Sequence, residues 1–257
     1  MIRKWYWLIL FFIVTNGSFA DKVLELHFDE GTGDKVSDTS GMGNDGKIVD
    51  AKWRAGKFGN ALEFDGAGSR VEIQDAPELQ ITAEMTVAAW VLFNSLGASG
   101  NHDAIVAKVS TWSFITFRRS NPPYQFAWWD NVVKNLMLGE PKWIASGWVP
   151  DVKTWYHLAV TMKSGDKLFF YRDGDIIKES PYPGAIPAGA GLPIWVGKGN
   201  GNTENLGGIV DEVVIFNEAL SAENVRNLLR GLIQVQPAGK LSMVWGQLKN
   251  QVGSDFP

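Results

Sequence analysis

The sequence predicts an all-β protein, folded as a two-sheet antiparallel jelly-roll β-sandwich with one short C-terminal helix. Three observations support this fold class. About a dozen short β-prone runs are separated by turn signals. The 28 glycines and 11 prolines are spread without a period, which suits tight turns between short strands. Only one helical pattern is convincing, and it comes late, as expected of a sandwich rather than of alternating β–α units.

The predicted strands are runs of apolar and β-branched residues. The segment from Met85 to Phe93 is mostly apolar at both odd and even positions, so both faces of the strand are apolar, as expected at the centre of a packed sandwich. Asp173-Gly174 lies between two β-prone runs and predicts a two-residue hairpin. The other predicted strands cover residues 23–28, 61–64, 70–73, 104–109, 113–117, 124–129, 155–162, 168–172, 175–178, 194–197 and 208–216.

The predicted helix follows Ser221, whose side chain can cap it, and Glu223 suits the positive end of its dipole. One apolar stripe runs along it, formed by Val225, Leu228, Leu229 and Leu232. The sandwich domain is therefore expected over residues 21–234. Residues 235–257, with an isolated Trp245, form a C-terminal tail of no predicted role.

A signal peptide is predicted over residues 1–20. Arg3 and Lys4 precede the apolar run 5–14, and small residues then allow cleavage after Ala20. The alternative is an uncleaved membrane anchor. The apolar run is shorter than the roughly 20 residues that a bilayer crossing requires, so cleavage is favoured, with no membrane insertion afterwards.

Composition narrows the class of protein and of partner. The chain has no cysteine, so it can form neither a disulfide nor a lipid anchor on a cysteine. An exported protein of this length can build its core without disulfides, which favours a bacterial protein that is secreted or periplasmic. Removal of residues 1–20 leaves 22 basic and 28 acidic residues. This net charge of −6 argues against nucleic acid or an anionic membrane as the main partner.

Six segments in a fixed order resemble the laminin-G-like (LamG-like), concanavalin A-like lectin/glucanase domains of secreted bacterial proteins. They are HFDEGTGDKVSDTSGMGNDG (27–46), LEFDG (62–66), MTVAAWV (85–91), WYHLAV (155–160), FYRDGDII (170–177) and IVDEVVIFNEALSAENVRNLL (209–229). The resemblance covers residues 23–232 and implies the same jelly-roll sandwich. It most often implies glycan recognition, although the family also contains protein binders and architectural modules.

The loop over residues 34–46 offers many oxygen atoms, and calcium takes six to eight oxygen ligands. In the resembled family a calcium ion often joins the N-terminal loop to the last strand. The resemblance implies as ligands Asp38, Asn44, Asp211 and carbonyl groups near Ser40, Gly41 and Gly46. Such a calcium cofactor would be structural, because it would link the N-terminal loop of the domain to its last strand. The alternative is that these side chains only form Asx turns, as Asp and Asn readily do.

Catalytic groups are not evident in the sequence. Glycan-cleaving relatives of this sandwich place carboxylates two residues apart on one strand, so that both face the same side. Glu63 and Asp65 have this spacing, but Asp65 opens a turn. Asp211 and Glu212 are neighbours on a strand, so they are expected on opposite faces. With no cysteine and no serine at a nucleophile elbow, the sequence favours a protein that is not an enzyme over a glycoside hydrolase or lyase.

Ten of the twelve tryptophans follow residue 20, and the adjacent pair Trp128 and Trp129 is the most informative about a ligand. On a regular strand one ring enters the core and the other faces outward, where a sugar ring could stack on it. Arg118 and Asn131 are near enough in sequence to orient a bound sugar.

The sequence therefore predicts a secreted, adhesion- or lectin-like module that binds a carbohydrate or a glycosylated surface. The alternative is a protein-interaction or structural module, because long loops in sandwiches often fold over a sheet and bury their own aromatic residues. Residues 94–103 and 131–154 are the long loops that could do so.

Overall fold

A computed structural model describes residues 21–96, 102–117, 125–130 and 144–229, with the side chain of Phe117 excepted. Two eight-stranded antiparallel sheets pack face to face around one main core, and one α-helix follows the last strand. This confirms the predicted sandwich and its late helix, which is the one α-helix among the described residues. The predicted signal peptide and the tail over 235–257 lie outside the described residues.

Sheet A has the strand order β14-β13-β12-β7-β16-β5-β4, and β1 also pairs with β16. The β1–β16 pairing places the start and the end of the domain side by side. The strands of sheet A are β1 (Lys22–Leu26), β4 (Lys52–Ala55), β5 (Asn60–Asp65), β7 (Glu84–Phe93), β12 (Trp155–Lys163), β13 (Asp166–Arg172), β14 (Asp175–Tyr182) and β16 (Gly207–Phe216).

Sheet B has the strand order β11-β10-β9-β8-β15-β6-β3-β2. Its strands are β2 (Lys35–Val36), β3 (Gly46–Val49), β6 (Arg70–Ile73), β8 (His102–Lys108), β9 (Trp112–Phe117), β10 (Gln125–Asp130), β11 (Ile144–Ala145) and β15 (Ile194–Val196). Among the described elements, β2, β3, β4 and β11 are additional to the predicted strands. A 3-10 turn at Pro77–Leu79 and the helix α1 (Ala222–Leu228) complete the described structure.

The centre of sheet A explains why β7 is apolar on both alternations. Its inward residues pack between the sheets, whereas Ala88 faces outward into a second buried cluster with Val214 and Phe216. Helix α1 contributes Val225 to this cluster, so it covers part of the outer face of sheet A. Ser221 caps α1 as predicted, because its Oγ accepts a hydrogen bond from the backbone N–H of Asn224 at 3.2 Å.

Two turns show how local sequence sets the chain path. The hairpin at Asp173-Gly174 is confirmed, and both residues have positive φ (50° and 80°), as type I′ turns require. At Gly46 the first residue of β3 approaches its neighbour so closely that an added Cβ would overlap the side chain of Val71. The glycine at that position therefore permits the contact between β3 and β6.

Candidate functional site

The adjacent tryptophans of β10 divide between the two faces of sheet B. Trp128 is fully buried, stacks on Trp112 with ring centroids 5.3 Å apart, and donates a hydrogen bond to Asp130 at 2.7 Å. Its ring belongs to the core, so the prediction of Trp128 as a ligand contact is corrected. Trp129 faces outward and is half-buried. The other two predicted ligand contacts, Arg118 and Asn131, lie outside the described residues.

A second tryptophan, which the sequence analysis did not single out, lies on the same face as Trp129. Trp129 is opposite Ser113, Ser113 is opposite Ala107, and Ala107 is opposite Trp195 on β15. We call these four residues the tryptophan row. Neighbouring strands are roughly 4.8 Å apart, so the two tryptophans stand about 14 Å apart, with two small residues between them. Trp195 lies on this row because β15 pairs with β8 in the register that sets Trp195 opposite Ala107. The composition of β15 alone does not indicate this position.

Trp195 is surrounded by groups that can donate hydrogen bonds. The guanidinium of Arg70 lies 5.2 Å from the ring centroid and the ammonium of Lys198 lies 5.9 Å from it. Arg70 is held by Glu72, which is opposite Trp195 on β6, and Lys198 donates to Asn205 at 3.1 Å. A half-buried aromatic ring with fixed polar neighbours can stack on an apolar ligand face and orient it.

The outer face of sheet A carries a different polar cluster, made possible by a β-bulge in β16. The register shifts between Asp211 and Val214, and Glu212 has a φ of 51°. Val210 and Val213 both lie in the core, so two residues separate two inward-facing positions. Asp211 and Glu212 therefore lie on the same outer face, which corrects the expectation that they face opposite sides.

Glu212 is paired with a histidine that follows β1. The Nδ1 atom of His27 lies 2.7 Å from a carboxylate oxygen of Glu212, and Nε2 lies 3.8 Å from Glu25. The hydrogen bond with Glu212 raises the pKa of His27, against the opposing effect of partial burial. This pair joins the beginning of the domain to its last strand, the role that the predicted calcium ion would have had.

A cavity of about 40 Å³ lies beside this pair, lined by Glu25, His27, Trp90, His157, Glu212 and Leu228 among others. The Nε1 atom of Trp90 and the Nδ1 atom of His157 are buried without a hydrogen-bond partner among the described residues. Burial lowers the pKa of His157 to about 4. A cavity of this volume holds about one water molecule and is too small for a sugar ring.

The carboxylate of Asp211 binds the backbone of the turn between β4 and β5. Its Oδ2 atom accepts a hydrogen bond from the backbone N–H of Phe58 at 2.9 Å. An added Cβ on Gly56 would lie 2.6 Å from the same oxygen, so the turn is closed tightly around the carboxylate. Burial raises the pKa of Asp211 to about 7.

The predicted calcium ligand Asp38 has its carboxylate oxygens occupied by the chain itself. One oxygen accepts hydrogen bonds from the backbone N–H groups of Glu25 and Ser40, each at 2.9 Å. The other accepts from Ser40 Oγ at 2.8 Å and from the backbone N–H of Asn44 at 2.9 Å. A carboxylate has about four lone-pair sites, so all are in use. This is the Asx-turn arrangement that was the alternative to calcium.

The other predicted ligands do not converge on Asp38. The side-chain amide of Asn44 donates to the Val23 carbonyl and to Glu78, Gly46 is part of β3, and Asp211 contacts the Phe58 turn. Within the described part of the chain, no group of three or more His, Asp or Glu side chains is placed to hold a metal ion. These residues do not fit a single coordination sphere, and calcium binding stays a prediction.

We expect Asp38→Ala to lower the free energy of unfolding by about 2–3 kcal/mol, because it leaves several donors without an acceptor. The loss should be equal in millimolar calcium and in chelator, measured by urea unfolding of residues 21–257. Asp34→Ala, an exposed aspartate of the same loop, is the control. A larger loss in calcium than in chelator would contradict the turn role and support the calcium staple.

Three solved structures show the same fold. Domain 4 of AbnA, a GH43 extracellular arabinanase from Geobacillus stearothermophilus, in complex with arabinotriose, matches with a TM-score of 0.64 and 19% identity, covering 82% of this chain and 98% of that one. The botulinum neurotoxin serotype D ligand-binding domain in complex with N-acetylneuraminic acid matches with a TM-score of 0.53 and 16% identity, covering 83% and 52%. Trypanosoma rangeli sialidase in complex with the inhibitor DANA matches with a TM-score of 0.51 and 18% identity, covering 80% and 32%.

The chain thus spans about half of the neurotoxin domain and about one third of the sialidase. At these identities the likeness shows the fold alone. No curated protein matches the sequence. Among the described helices, none is long and apolar enough to cross a membrane. The Laminin_G_3 family model matches residues 65–226, more than half of the chain, and this shows that the protein belongs to the concanavalin A-like lectin/glucanases superfamily.

Proposed function

We propose that the chain is a secreted, non-catalytic binding module that recognises a carbohydrate or a glycosylated surface across the tryptophan row. The observation that carries the proposal is the placement of Trp129 and Trp195, both half-buried, on one outward-facing row of sheet B. Ala107 and Ser113 between the rings are buried, so the exposed parts of the two rings, about 14 Å apart, would be the contact points for a short oligosaccharide. The ring faces offer stacking surfaces, and Arg70 and Lys198 offer hydrogen-bond donors.

Similar structures support a sugar as the ligand. The arabinanase domain and the neurotoxin domain were each solved with a carbohydrate, arabinotriose and N-acetylneuraminic acid. The mildly acidic composition of the chain also favours a partner that is not a polyanion.

A binding role is preferred over a hydrolase for a geometric reason. Arabinanase and sialidase relatives make catalysis the main competing function. In the described structure, the pair Glu25 and Glu212 approaches a shared neighbour, His27, but the cavity beside them is about 40 Å³. A glycosidase requires two carboxyl groups on either side of a bound sugar, for which this cavity has no room.

Trp195→Ala and Trp129→Ala are each expected to weaken binding of the recognised polysaccharide at least tenfold, or about 1.4 kcal/mol, because each removes a stacking surface. The measurement is isothermal titration of residues 21–257 with a panel of soluble polysaccharides, in calcium and in chelator. Trp155→Ala, a half-buried tryptophan on the outer face of sheet A, is the matched control and should leave the affinity unchanged.

A flat response of the wild-type protein to every polysaccharide would contradict the glycan proposal and favour the protein-interaction alternative. Equal losses in Trp155→Ala and Trp195→Ala would contradict the assignment of the site to sheet B. Release of reducing ends during the titration would show catalysis instead of binding.

A further inference from the structure

The outer face of sheet B becomes charged beyond Trp195. Trp195 is opposite Glu72 on β6, and Glu72 is opposite Lys47 on β3, so strand pairing continues the line of the tryptophan row towards the sheet edge. Lys47 is in turn opposite Lys35 on β2. Residues directly opposite each other on paired strands face the same side of a sheet. The carboxylate and the two lysines therefore stand on the same side as the tryptophan rings.

Two of the cations at this end of the row are paired with carboxylates. The Nε and Nη2 atoms of Arg70 lie 2.7 and 2.6 Å from one oxygen of Glu72, and Nη1 donates to the Gly68 carbonyl at 3.1 Å. The exposed Lys35 lies 2.6 Å from Asp45. These pairs cancel formal charge. A guanidinium has about five N–H donors, so Arg70 keeps some of them for a ligand among the described contacts.

Two further cations, Lys47 and Lys198, form no ion pair with a carboxylate of the described residues. The Nζ atom of Lys198 lies 5.9 Å from the centroid of the Trp195 ring and donates one hydrogen bond, to Asn205. An ammonium group has about three N–H donors, so others remain for a ligand. Lys47 is exposed, and its backbone is two strand spacings, roughly 10 Å, from that of Trp195. Both charges are therefore within reach of one ligand group beside Trp195.

The Trp129 end of the row has a different character among the described residues. The neighbouring positions on the same face of β9, β10 and β11 are Ser113, Ile115, Ala127 and Ala145, and none of them carries a charge. The row thus has a ring with uncharged described neighbours at one end and a ring with cationic neighbours at the other. A ligand that matches the row has a direction, with its negative group at Trp195.

The positive charge beside Trp195 is local, because residues 21–257 contain 22 basic and 28 acidic residues. Charges more than about 8 Å apart are largely screened at physiological ionic strength, so the nearby lysines dominate for a group bound at Trp195. A long polyanion would also extend over the acidic remainder of the surface, which repels it. The arrangement therefore favours a single acidic residue in an otherwise neutral glycan.

We propose that the tryptophan row recognises a glycan with one carboxylate-bearing sugar residue, which lies at Trp195 with its carboxylate held by Lys198 and Lys47. The inference rests on the proposed function, because it concerns the same surface. Uronic acids and sialic acids share the required chemistry, a ring with an apolar face and a carboxylate at its edge. The ring face stacks on Trp195, and the carboxylate accepts charge-assisted hydrogen bonds from the ammonium groups. Neutral residues of the glycan then extend towards Trp129.

The test compares acidic oligosaccharides with their carboxyl-reduced forms, in which the carboxylate has become a primary alcohol. The probes are sialyllactose and a xylo-oligosaccharide that bears one glucuronic acid, so the two arms distinguish the two sources of the carboxylate. Each form is titrated into residues 21–257 by isothermal titration calorimetry. The acidic form of at least one probe should bind roughly fivefold more tightly than its reduced form, about what one or two exposed ion pairs supply.

Variants of single charges locate this preference for the acidic form. Lys198→Gln and Lys47→Gln should each lower the ratio of the two affinities. Lys52→Gln removes an exposed lysine of sheet A and is the matched control, so it should leave the ratio unchanged. Glu72→Gln should raise the ratio, because it frees Arg70 and removes a negative charge beside Trp195.

The outcomes separate this inference from the proposed function. Equal affinity for the acidic and reduced forms, with both weakened by Trp195→Ala, would overturn the acidic-sugar inference and leave glycan binding by the row in place. A preference that Lys52→Gln lowers as much as Lys198→Gln would overturn it as well, because the preference would then reflect net charge. Failure of both probes in both forms would also overturn it, whereas the proposed function fails only if the wider polysaccharide panel gives no binding.

Discussion

Asp75→Ala is expected to lower the free energy of unfolding by about 3–5 kcal/mol, because it leaves a buried ammonium without its counter-charge. The side chain of Lys108 is fully buried, and its Nζ atom lies 2.6 Å from Asp75 and 3.2 Å from the Leu79 carbonyl oxygen. Asp75 also accepts hydrogen bonds from Gln80 at 2.8 Å and from the backbone N–H of Gly191 at 2.6 Å. The Lys108–Asp75 ion pair thus joins strand β8 of sheet B to the loop that contains Asp75 and to the loop that contains Gly191.

The double variant Asp75→Ala/Lys108→Met separates the cost of an unpaired charge from other losses. Replacement of a buried ion pair by apolar residues is often neutral or stabilising, so the double variant should be more stable than Asp75→Ala alone. The measurement is urea unfolding at pH 7. Glu179→Ala, which breaks the exposed ion pair with Lys167, is the control and should leave the midpoint nearly unchanged. A double variant no more stable than Asp75→Ala would contradict this explanation.

His157 is expected to make the protein sensitive to acid. It is 3% exposed, its ring packs against Trp90 with centroids 5.5 Å apart, and burial lowers its pKa from 6.5 to about 4. The unfolded state therefore takes up a proton at higher pH than the folded state. Stability from this group is complete above pH 6.5 and is lost as pH falls towards 4, by about 3 kcal/mol in total.

Two variants test the sign of this pH dependence. His157→Gln should lose less stability than the wild type between pH 7 and pH 4.5 in urea unfolding. His27→Gln should lose more, because the pKa of His27 is raised and its contribution grows as pH falls. Both histidines line the same cavity as Glu25, Glu212 and Trp90. The two variants leave these neighbouring groups unchanged, so a difference in pH dependence reports on the histidine that was replaced. Equal losses in the wild type and in His157→Gln would contradict the assignment.

The sequence predicted the fold well because its signals are local. The continuous apolar run of β7, the Asp173-Gly174 hairpin and the Ser221 cap each depend on a few neighbouring residues, and the structure confirms them. The short strands β2, β3 and β4 were not predicted, since each pairs in a segment with little apolar alternation. Their formation depends on pairing with distant strands, which no local pattern indicates.

The candidate site was predicted only in part, because it depends on register. Adjacency on a strand correctly indicated that one of Trp128 and Trp129 faces outward, but it could not indicate which. Trp195 joins the row only because β15 pairs with β8, a contact between residues about 90 apart in the chain. The bulge at Glu212 reversed the expected orientation of one carboxylate, and nothing in the sequence around it signals a bulge.

The most direct test of the central claim, glycan recognition by the tryptophan row, is the indole N–H region of a ¹H–¹⁵N spectrum. The ten tryptophans of residues 21–257 give one signal each, assigned by single Trp→Phe variants. During titration with a polysaccharide that binds, we predict shifts of the Trp129 and Trp195 signals, whereas those of Trp155 and the buried Trp112 stay in place. Binding that shifts Trp155 and leaves Trp129 and Trp195 unchanged would contradict the account.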